Sequence, residues 1–276
     1  MKKIGFIGYG HMGSVLLNSL LAAQAIEPLQ LIVSTRTQKN LNTLHAKYPA
    51  IEIADDNQTV AKNSDLIFLC VGTYQVKPVL MEIRDVLGAN RHLVIISGGL
   101  EIGSVEELIC GPVTKIMPTL LAEVQEGVTL VCHNHRVALG AKNRLHQLLS
   151  SLGTVKVITE HQFEMGADFT SCAPGLLAAI CDQYIHAGIK HGDFNYEEAQ
   201  AMLLASLYGT AKLLREKEEG FQALISRVAT RGGATEGGVG VLEESMPKVF
   251  EQVFKTTIQR HESRKLITRK QFRGES

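Results

Sequence analysis

The chain has 276 residues, long enough to bury a sizeable core and to make two domains. Its 28 basic residues balance 28 acidic ones, so the formal net charge is +0 and no global field recommends nucleic acid or an anionic membrane as partner. A small molecule is the expected partner. Five cysteines (Cys70, Cys110, Cys132, Cys172, Cys181) are an odd number without a Cys-x-x-Cys pair, which points to reduced thiols and a cytoplasmic protein. The N-terminal apolar run is short and broken by glycine, and no stretch is long enough to span a bilayer.

Ile4 to Ile7 reads as a strand, followed by Gly8-Tyr9-Gly10-His11-Met12-Gly13 and then an apolar-periodic helix through Val15, Leu16, Leu17, Leu20 and Leu21. Strand, glycine turn and helix in that order form the dinucleotide-binding fingerprint. Gly8 permits the tight turn, Gly10 lets backbone approach a pyrophosphate, and Gly13 lets the helix pack close to the strand. The helix N-terminus, with its unpaired N–H groups around His11 and Met12, then faces the phosphates.

The next strand, Leu31 to Val33, leads into Ser34-Thr35-Arg36-Thr37. An enzyme preferring NAD would place an acid there for the ribose 2′-hydroxyl. Arg36 instead offers a charged planar fork, and Ser34 and Thr37 offer hydroxyls, a set that suits a 2′-phosphate. NADPH is therefore expected in preference to NADH.

Further short apolar runs at Leu66–Cys70, Leu93–Ile96, Val113–Ile116, Val128–Val131 and Val155–Val157 alternate with helical patterns. Their continuous hydrophobicity suits strands covered on both faces, with helices as right-handed crossovers, so residues 1–159 are expected to form a doubly wound α/β domain of Rossmann type. His133 and His135 flank Asn134 after the strand ending at Cys132; no further pair supplies ligand spacing, so a polar turn is expected there and no metal site.

After Glu160 the strand signal stops. Helical patterns at Gly175–Gly188, Tyr196–Glu219, Phe221–Val228, Glu236–Glu244 and Pro247–Leu266 make residues 160–276 an all-helical second domain. Val249, Phe250, Val253, Phe254 and Ile258 form an apolar stripe that a small bundle would struggle to cover alone, which predicts a homodimer or higher homo-oligomer. The basic tail of Arg260, Arg264, Lys265, Arg269, Lys270 and Arg273 suits a helix C-terminus better than a nucleic-acid patch.

Gly237, Gly238 and Gly240 lie inside a predicted helix at a cost of roughly 3 kcal/mol relative to alanine. Close backbone approach to a ligand or another helix is the available compensation. Just before them, Gly232-Gly233-Ala234-Thr235 places a hydroxyl and free N–H groups at a helix start, which is either a carboxylate site or a capped hinge.

These residues together resemble the pyrroline-5-carboxylate reductase family over essentially the full length. The likeness is carried by Ile4 to Gly13, by Met117-Pro118 with Glu126-Gly127-Val128-Thr129, by Ser171-Cys172-Ala173-Pro174, and by Gly232 to Thr235 with Val241-Leu242-Glu243-Glu244. The resemblance implies NADPH-dependent reduction of a cyclic imino acid to proline, dimerisation through the helical domain, and cofactor contacts that include Val71, Gly72, Met117 and Pro118. It also implies a substrate carboxylate on the N–H groups of Gly232 and Gly233, with Ser171, Thr230, Arg231 and Ala234 around it, and Thr235 hydrogen-bonded to the ring nitrogen.

The chain departs from the family at Gly72-Thr73, where Lys-Pro is usual, and at Thr119-Leu120-Leu121, where Asn-Thr-Pro is usual. Thr230-Arg231 replaces Ser-Pro, so Arg231 is either a reader of a second carboxylate or a surface partner of Glu236 or Glu243. Ser171 to Pro174 also resembles the divergent late-competence ComER-type branch, which raises a rival reading: an NADP-binding regulatory protein without robust turnover. A β-hydroxyacid dehydrogenase would need a lysine on the long helix, and Gly175 to Ile189 has none.

Overall fold

The structure, a computed structural model, describes residues 3–274. The described residues form eight strands, most of them from short aliphatic runs: β1 (Ile4–Ile7), β2 (Leu31–Ser34), β3 (Glu52–Ile53), β4 (Leu66–Leu69), β5 (His92–Ile96), β6 (Val113–Met117), β7 (Gly127–His133) and β8 (Gly153–Val157). They form one sheet in the order β3-β2-β1-β4-β5-β6-β7-β8. Helices α1 (His11–Ala22), α2 (Gln38–Lys47), α3 (Asn57–Asn63), α4 (Thr73–Ile83), α5 (Ile102–Glu106) and α6 (Leu139–Ser150) lie between the strands.

Two features depart from the sequence reading. β3 escaped it because the strand is two residues long and begins with a glutamate, leaving no apolar run to detect. β7 runs antiparallel to β6, with Ile116 opposite Val131, while every other neighbouring pair is parallel. The link between them holds only the 3₁₀ turn Leu120–Val124, which is too short to carry the chain back for a parallel crossover.

Alternate residues of the strands supply two cores, one on each face of the sheet. Phe6, Val33, Phe68, Val94, Ile116 and Val131 feed one, and Ile7, Ile32, Ile67, Leu93 and Ile95 feed the other. Phe6 and Phe68 sit in register on β1 and β4 and stack with ring centroids 4.8 Å apart. This packing joins one face of β1, which leads into the glycine turn, to that of β4, which leads into Val71-Gly72.

The remaining helices are α7 (Phe163–Phe169), α8 (Ala173–Gly188), α9 (Tyr196–Glu216), α10 (Phe221–Val228) and α11 (Ala234–Arg273). The chain divides into two compact units, one made of residues up to Cys172 with those from Thr257 onward, the other of Ala173–Thr256. The first unit thus runs past the last strand, where the strand signal ends near 159, and takes back the end of α11. Pro247 lies inside α11 instead of separating two helices. A proline removes one hydrogen bond and crowds the preceding turn, and a 40-residue helix has many other turns to hold it.

The returning segment of α11 explains the basic tail. Phe272 is 8% exposed within the second core, and the Lys77 ammonium donates to the carbonyls of Gln271 at 3.0 Å and Phe272 at 2.8 Å, capping the helix end. Arg269 grips Glu101 through Nε at 2.8 Å and through a second guanidinium nitrogen, and Lys265 reaches Glu164 at 2.8 Å. These cations are therefore ion-paired within the first unit.

Within Ala173–Thr256 only Ile185 is buried. Leu177, Tyr184, Leu204, Tyr208, Phe221, Val241 and Val249 are each more than half exposed in the single chain. A helical unit with so much uncovered apolar surface lacks a core of its own.

Candidate active site

In this strand order the chain leaves β1 toward β2 and β3 and then crosses back to β4, so the order reverses between β1 and β4. Ligands of doubly wound sheets bind outside the strand ends at that point. The segment Gly8 to Gly13 stands there after β1, and Val71-Gly72 stands there after β4.

Each glycine of the turn has a separate physical reason. Gly8 has φ +97°, and a Cβ on it would lie 2.6 Å from the Cys70 carbonyl oxygen. Its N–H donates to the Ser34 carbonyl at 2.8 Å, which ties the turn to the end of β2. A Cβ on Gly13 would come within 2.5 Å of the Gly8 oxygen, so its absence sets the close approach of α1 to β1. A Cβ on Gly10 would meet nothing within 4 Å. Protein packing does not require glycine at that position, whereas a ligand lying against the backbone does. Gly10 is the N-cap of α1 and brings no side-chain acceptor, which leaves the first-turn N–H groups of His11, Met12 and Gly13 facing the crevice. This cradle fits a dinucleotide pyrophosphate.

The three residues expected at the 2′-phosphate separate. Arg36 and Thr37 are exposed, and Thr37 is the N-cap of α2 without using its hydroxyl to cap. Ser34 is 3% exposed and donates its hydroxyl to Asn57 Oδ1 at 2.8 Å, while the Asn57 amide donates to Glu82 at 2.8 Å. Ser34 thus points inward and props the strand end. Asn57 opens α3, an element the sequence reading gave no role.

Farther along the sheet, Met117 is half-buried and Pro118 buried at the end of β6. Thr73, at the position of the unusual Gly72-Thr73 pair, begins α4, and its hydroxyl lies 3.2 Å from that of Ser97 just past β5. Thr119, which replaces asparagine, is 1% exposed, and its hydroxyl has no partner among the described residues. The departures of this chain thus put hydroxyls at Thr73 after β4, beside that of Ser97, and at Thr119 after β6.

Ser171 is exposed in the turn after α7. The glycine–threonine loop belongs to the second unit, where Thr230, Arg231, Gly232, Ala234 and Thr235 are exposed and Gly233 is half-buried. Gly232 has φ +76°, a conformation that needs glycine, and the Gly233 N–H donates to the Thr230 carbonyl at 2.9 Å. The Glu236 carboxylate accepts the Gly232 N–H at 2.7 Å. A carboxylate therefore already sits on one of the expected carboxylate donors, and it belongs to Glu236, a candidate partner of Arg231. Gly237, Gly238 and Gly240 have no atom within 4 Å of a built Cβ, so the single chain does not supply the close contact their presence calls for.

The expected polar turn follows β7 at residues 134–137, where Asn134 Oδ1 accepts the Arg136 N–H at 3.2 Å, but His133 itself belongs to the strand. It closes β7, and its Nδ1 lies 2.7 Å from the Thr114 hydroxyl, which in turn lies 2.6 Å from Nε2 of His92. Nε2 of His133 is 3.0 Å from Nε2 of His146 on α6. Burial, reinforced by neighbouring His133 and Arg144, holds the pKa of His92 at about 4; burial, with His146 and Lys142, does the same for His133.

A mostly parallel sheet with a glycine turn and an open helix N-terminus at its switch point, followed by a helical unit, defines a dinucleotide-binding oxidoreductase architecture. Residues 3–98 match a family described as NADP oxidoreductase, coenzyme F420-dependent, and residues 160–264 match pyrroline-5-carboxylate reductase dimerisation. Pyrroline-5-carboxylate reductase 3 of Bacillus subtilis is 34% identical over 95% of this chain and 96% of its own. The chain belongs to the pyrroline-5-carboxylate reductase family. ComE operon protein 4 of the same organism is 25% identical over 98% of this chain and 99% of its own, which places a ComER-like branch within reach. Two solved structures share the fold. A pyrroline-5-carboxylate reductase from Coxiella burnetii has a TM-score of 0.87 at 24% identity, covering 95% of this chain and 98% of its own. The Plasmodium falciparum pyrroline carboxylate reductase with NADP bound has a TM-score of 0.83 at 24% identity, covering 97% and 98%.

No described helix is long and apolar enough to cross a membrane.

Proposed function

We propose that the protein is an NADPH-dependent reductase that converts 1-pyrroline-5-carboxylate to proline, working as a homodimer in the cytoplasm. The observation that carries this reading is the open space at Gly10 over the N-terminus of α1, in a chain 34% identical along nearly its whole length to a reductase of that name. Bound NADPH supplies the hydride for the imine carbon. Gly8, Gly10, His11, Met12 and Gly13 bind the pyrophosphate through backbone N–H groups. Arg36 and Thr37 take the 2′-phosphate, with Ser34 fixing the strand end beneath them. Val71, Gly72, Met117 and Pro118 border the nicotinamide half.

In the helical unit, Gly232, Gly233 and Ala234 hold the substrate carboxylate, with Thr230 and Arg231 beside them; Ser171, which belongs to the first unit, is a further substrate residue under this reading. Thr235 hydrogen-bonds the ring nitrogen as it passes from imine to amine. Most of the acceleration then comes from orientation and from dipoles fixed before the reaction. Following NADPH absorbance with and without pyrroline-5-carboxylate tests the reading: oxidation that needs the imine supports it, and no oxidation with either NADPH or NADH overturns it.

A second reading, an NADP-binding regulatory protein, is favoured by one contact. The Glu236 carboxylate holds the Gly232 N–H at 2.7 Å, so a substrate carboxylate must displace it. Under this reading NADPH binds and pyrroline-5-carboxylate leaves it unoxidised.

A further inference from the structure

Asp168, Cys172 and His261 converge within the first unit, away from the glycine crevice in sequence and independent of the reductase reading. Asp168 lies near the end of α7 and is 2% exposed. The chain then winds back on itself, the N–H groups of Thr170 and Cys172 both donating to the Ala167 carbonyl, and this turn brings the Cys172 thiol beside the carboxylate. His261 arrives from the returning segment of α11 and places Nε2 3.0 Å from Asp168 Oδ1. One oxygen, one sulfur and one nitrogen ligand atom lie within 4.8 Å of one another.

We propose that Asp168, Cys172 and His261 form a three-ligand site for a zinc-class divalent cation. Bond lengths of about 2.0–2.3 Å to a tetrahedral ion put ligand atoms roughly 3.2–3.8 Å apart, so side-chain rotations of about an ångström close the set. The imidazole–carboxylate pair already has nearly that spacing. The Thr257 hydroxyl donates to Asp168 Oδ2 at 2.6 Å, which holds the second carboxylate oxygen away and leaves Oδ1 toward His261. Carboxylate and thiolate together carry the two negative charges that neutralise a divalent ion. Binding breaks the Cys172 S–H bond, forms a sulfur–metal bond and releases one proton to solvent, with no change of oxidation state. Mixed sulfur, nitrogen and oxygen donors select zinc-class ions over calcium or magnesium, and three protein ligands leave a fourth position for water. The His261 side chain is 17% exposed, which gives the ion a route in. From sequence alone the set is invisible, because Asp168 and Cys172 show only a four-residue spacing and their third partner is 93 positions away from Asp168.

Titration of cobalt(II) into the metal-free full chain tests the site. A thiolate-to-cobalt charge-transfer band and tetrahedral visible bands that saturate at one equivalent, and that zinc abolishes, are expected. Cys172→Ser should remove the charge-transfer band and weaken zinc binding by about tenfold or more, while Cys110→Ser, at an exposed cysteine, leaves both intact. If Cys172→Ser fails to fold by circular dichroism, His261→Gln carries the test through a similar loss of zinc affinity with the thiol still present. Absence of the band in the parent, its survival in Cys172→Ser, or zinc affinity unchanged in His261→Gln would overturn the assignment and leave the cluster as a hydrogen-bonded link between α7 and α11.

Discussion

Arg36, Thr235 and the glycines of the first turn carry the most local expectations. Arg36→Ala should weaken NADPH by about 1.5–3 kcal/mol, the loss of a hydrogen-bonded charged partner, and leave NADH binding nearly unchanged; titration by nucleotide fluorescence reads both. Equal losses for the two cofactors would remove Arg36 from the 2′-phosphate. Thr235→Ala should slow turnover by about 3 kcal/mol with NADPH affinity retained, as for removal of one oriented donor. Gly10 and Gly13 separate binding from folding. Gly13→Ala forces a Cβ to within 2.5 Å of the Gly8 oxygen and should destabilise the protein by about 1–3 kcal/mol in a urea melt. Gly10→Ala meets open space, so it should change stability by no more than about 1 kcal/mol yet impair cofactor binding. The glycine turn was legible because backbone conformation and close approach admit few other residues. Ser34 was not, because a hydroxyl at a strand end looks the same whether it faces a ligand or, as here, donates inward to Asn57.

Strands buried on both faces announce themselves as aliphatic runs, and the positions of β1, β2 and β4 to β7 along the chain follow from such runs, whereas their order in the sheet does not. Polarity of pairing does not: the same run at Val128–Val131 serves a parallel or an antiparallel partner, and only the short link after β6 decides it. Pro247 misled for a related reason, since a proline signal is local and the continuity of α11 is set by turns on both sides of it. His133 shows how a polar residue at a strand end becomes half-buried through contacts with Thr114 and His146 on neighbouring elements. Burial holds the pKa values of His92 and half-buried His133 at about 4, below the ordinary value of 6.5, so both are neutral near pH 7. Stability from these groups is complete above pH 6.5 and lost as pH falls toward 4, because the unfolded chain takes up protons first. For His92, 5% exposed, the full loss is about 3 kcal/mol. Melting temperature should therefore drop on acidification across this window, and His92→Gln should flatten the drop; a parent whose melting is constant from pH 6.5 to 4 would contradict the buried histidine chain.

For the whole molecule, the helical unit is the part least able to stand alone, and here the sequence was informative in kind but not in detail. The stripe at Val249 and Phe250 is 51% and 36% exposed in the single chain, and only Ile185 is buried between Ala173 and Thr256. A second copy is the expected cover, since residues 160–264 match a dimerisation family. Val249→Glu with Phe250→Glu should shift sedimentation from dimer to monomer and lower thermal stability; a parent that sediments as a monomer at micromolar concentration would reject the shared helical core. Substrate position was hardest to read, because the backbone donors proposed for it around Gly232 are ones any exposed glycine loop could offer. The most direct measurement of the central claim is the fate of the transferred hydrogen. With NADPH carrying deuterium at the nicotinamide C4 and pyrroline-5-carboxylate as substrate, the account predicts proline with one deuterium on the former imine carbon for each NADPH consumed, whichever C4 face is transferred being the labelled one; unlabelled proline from both labelled faces, or no proline at all, would contradict it.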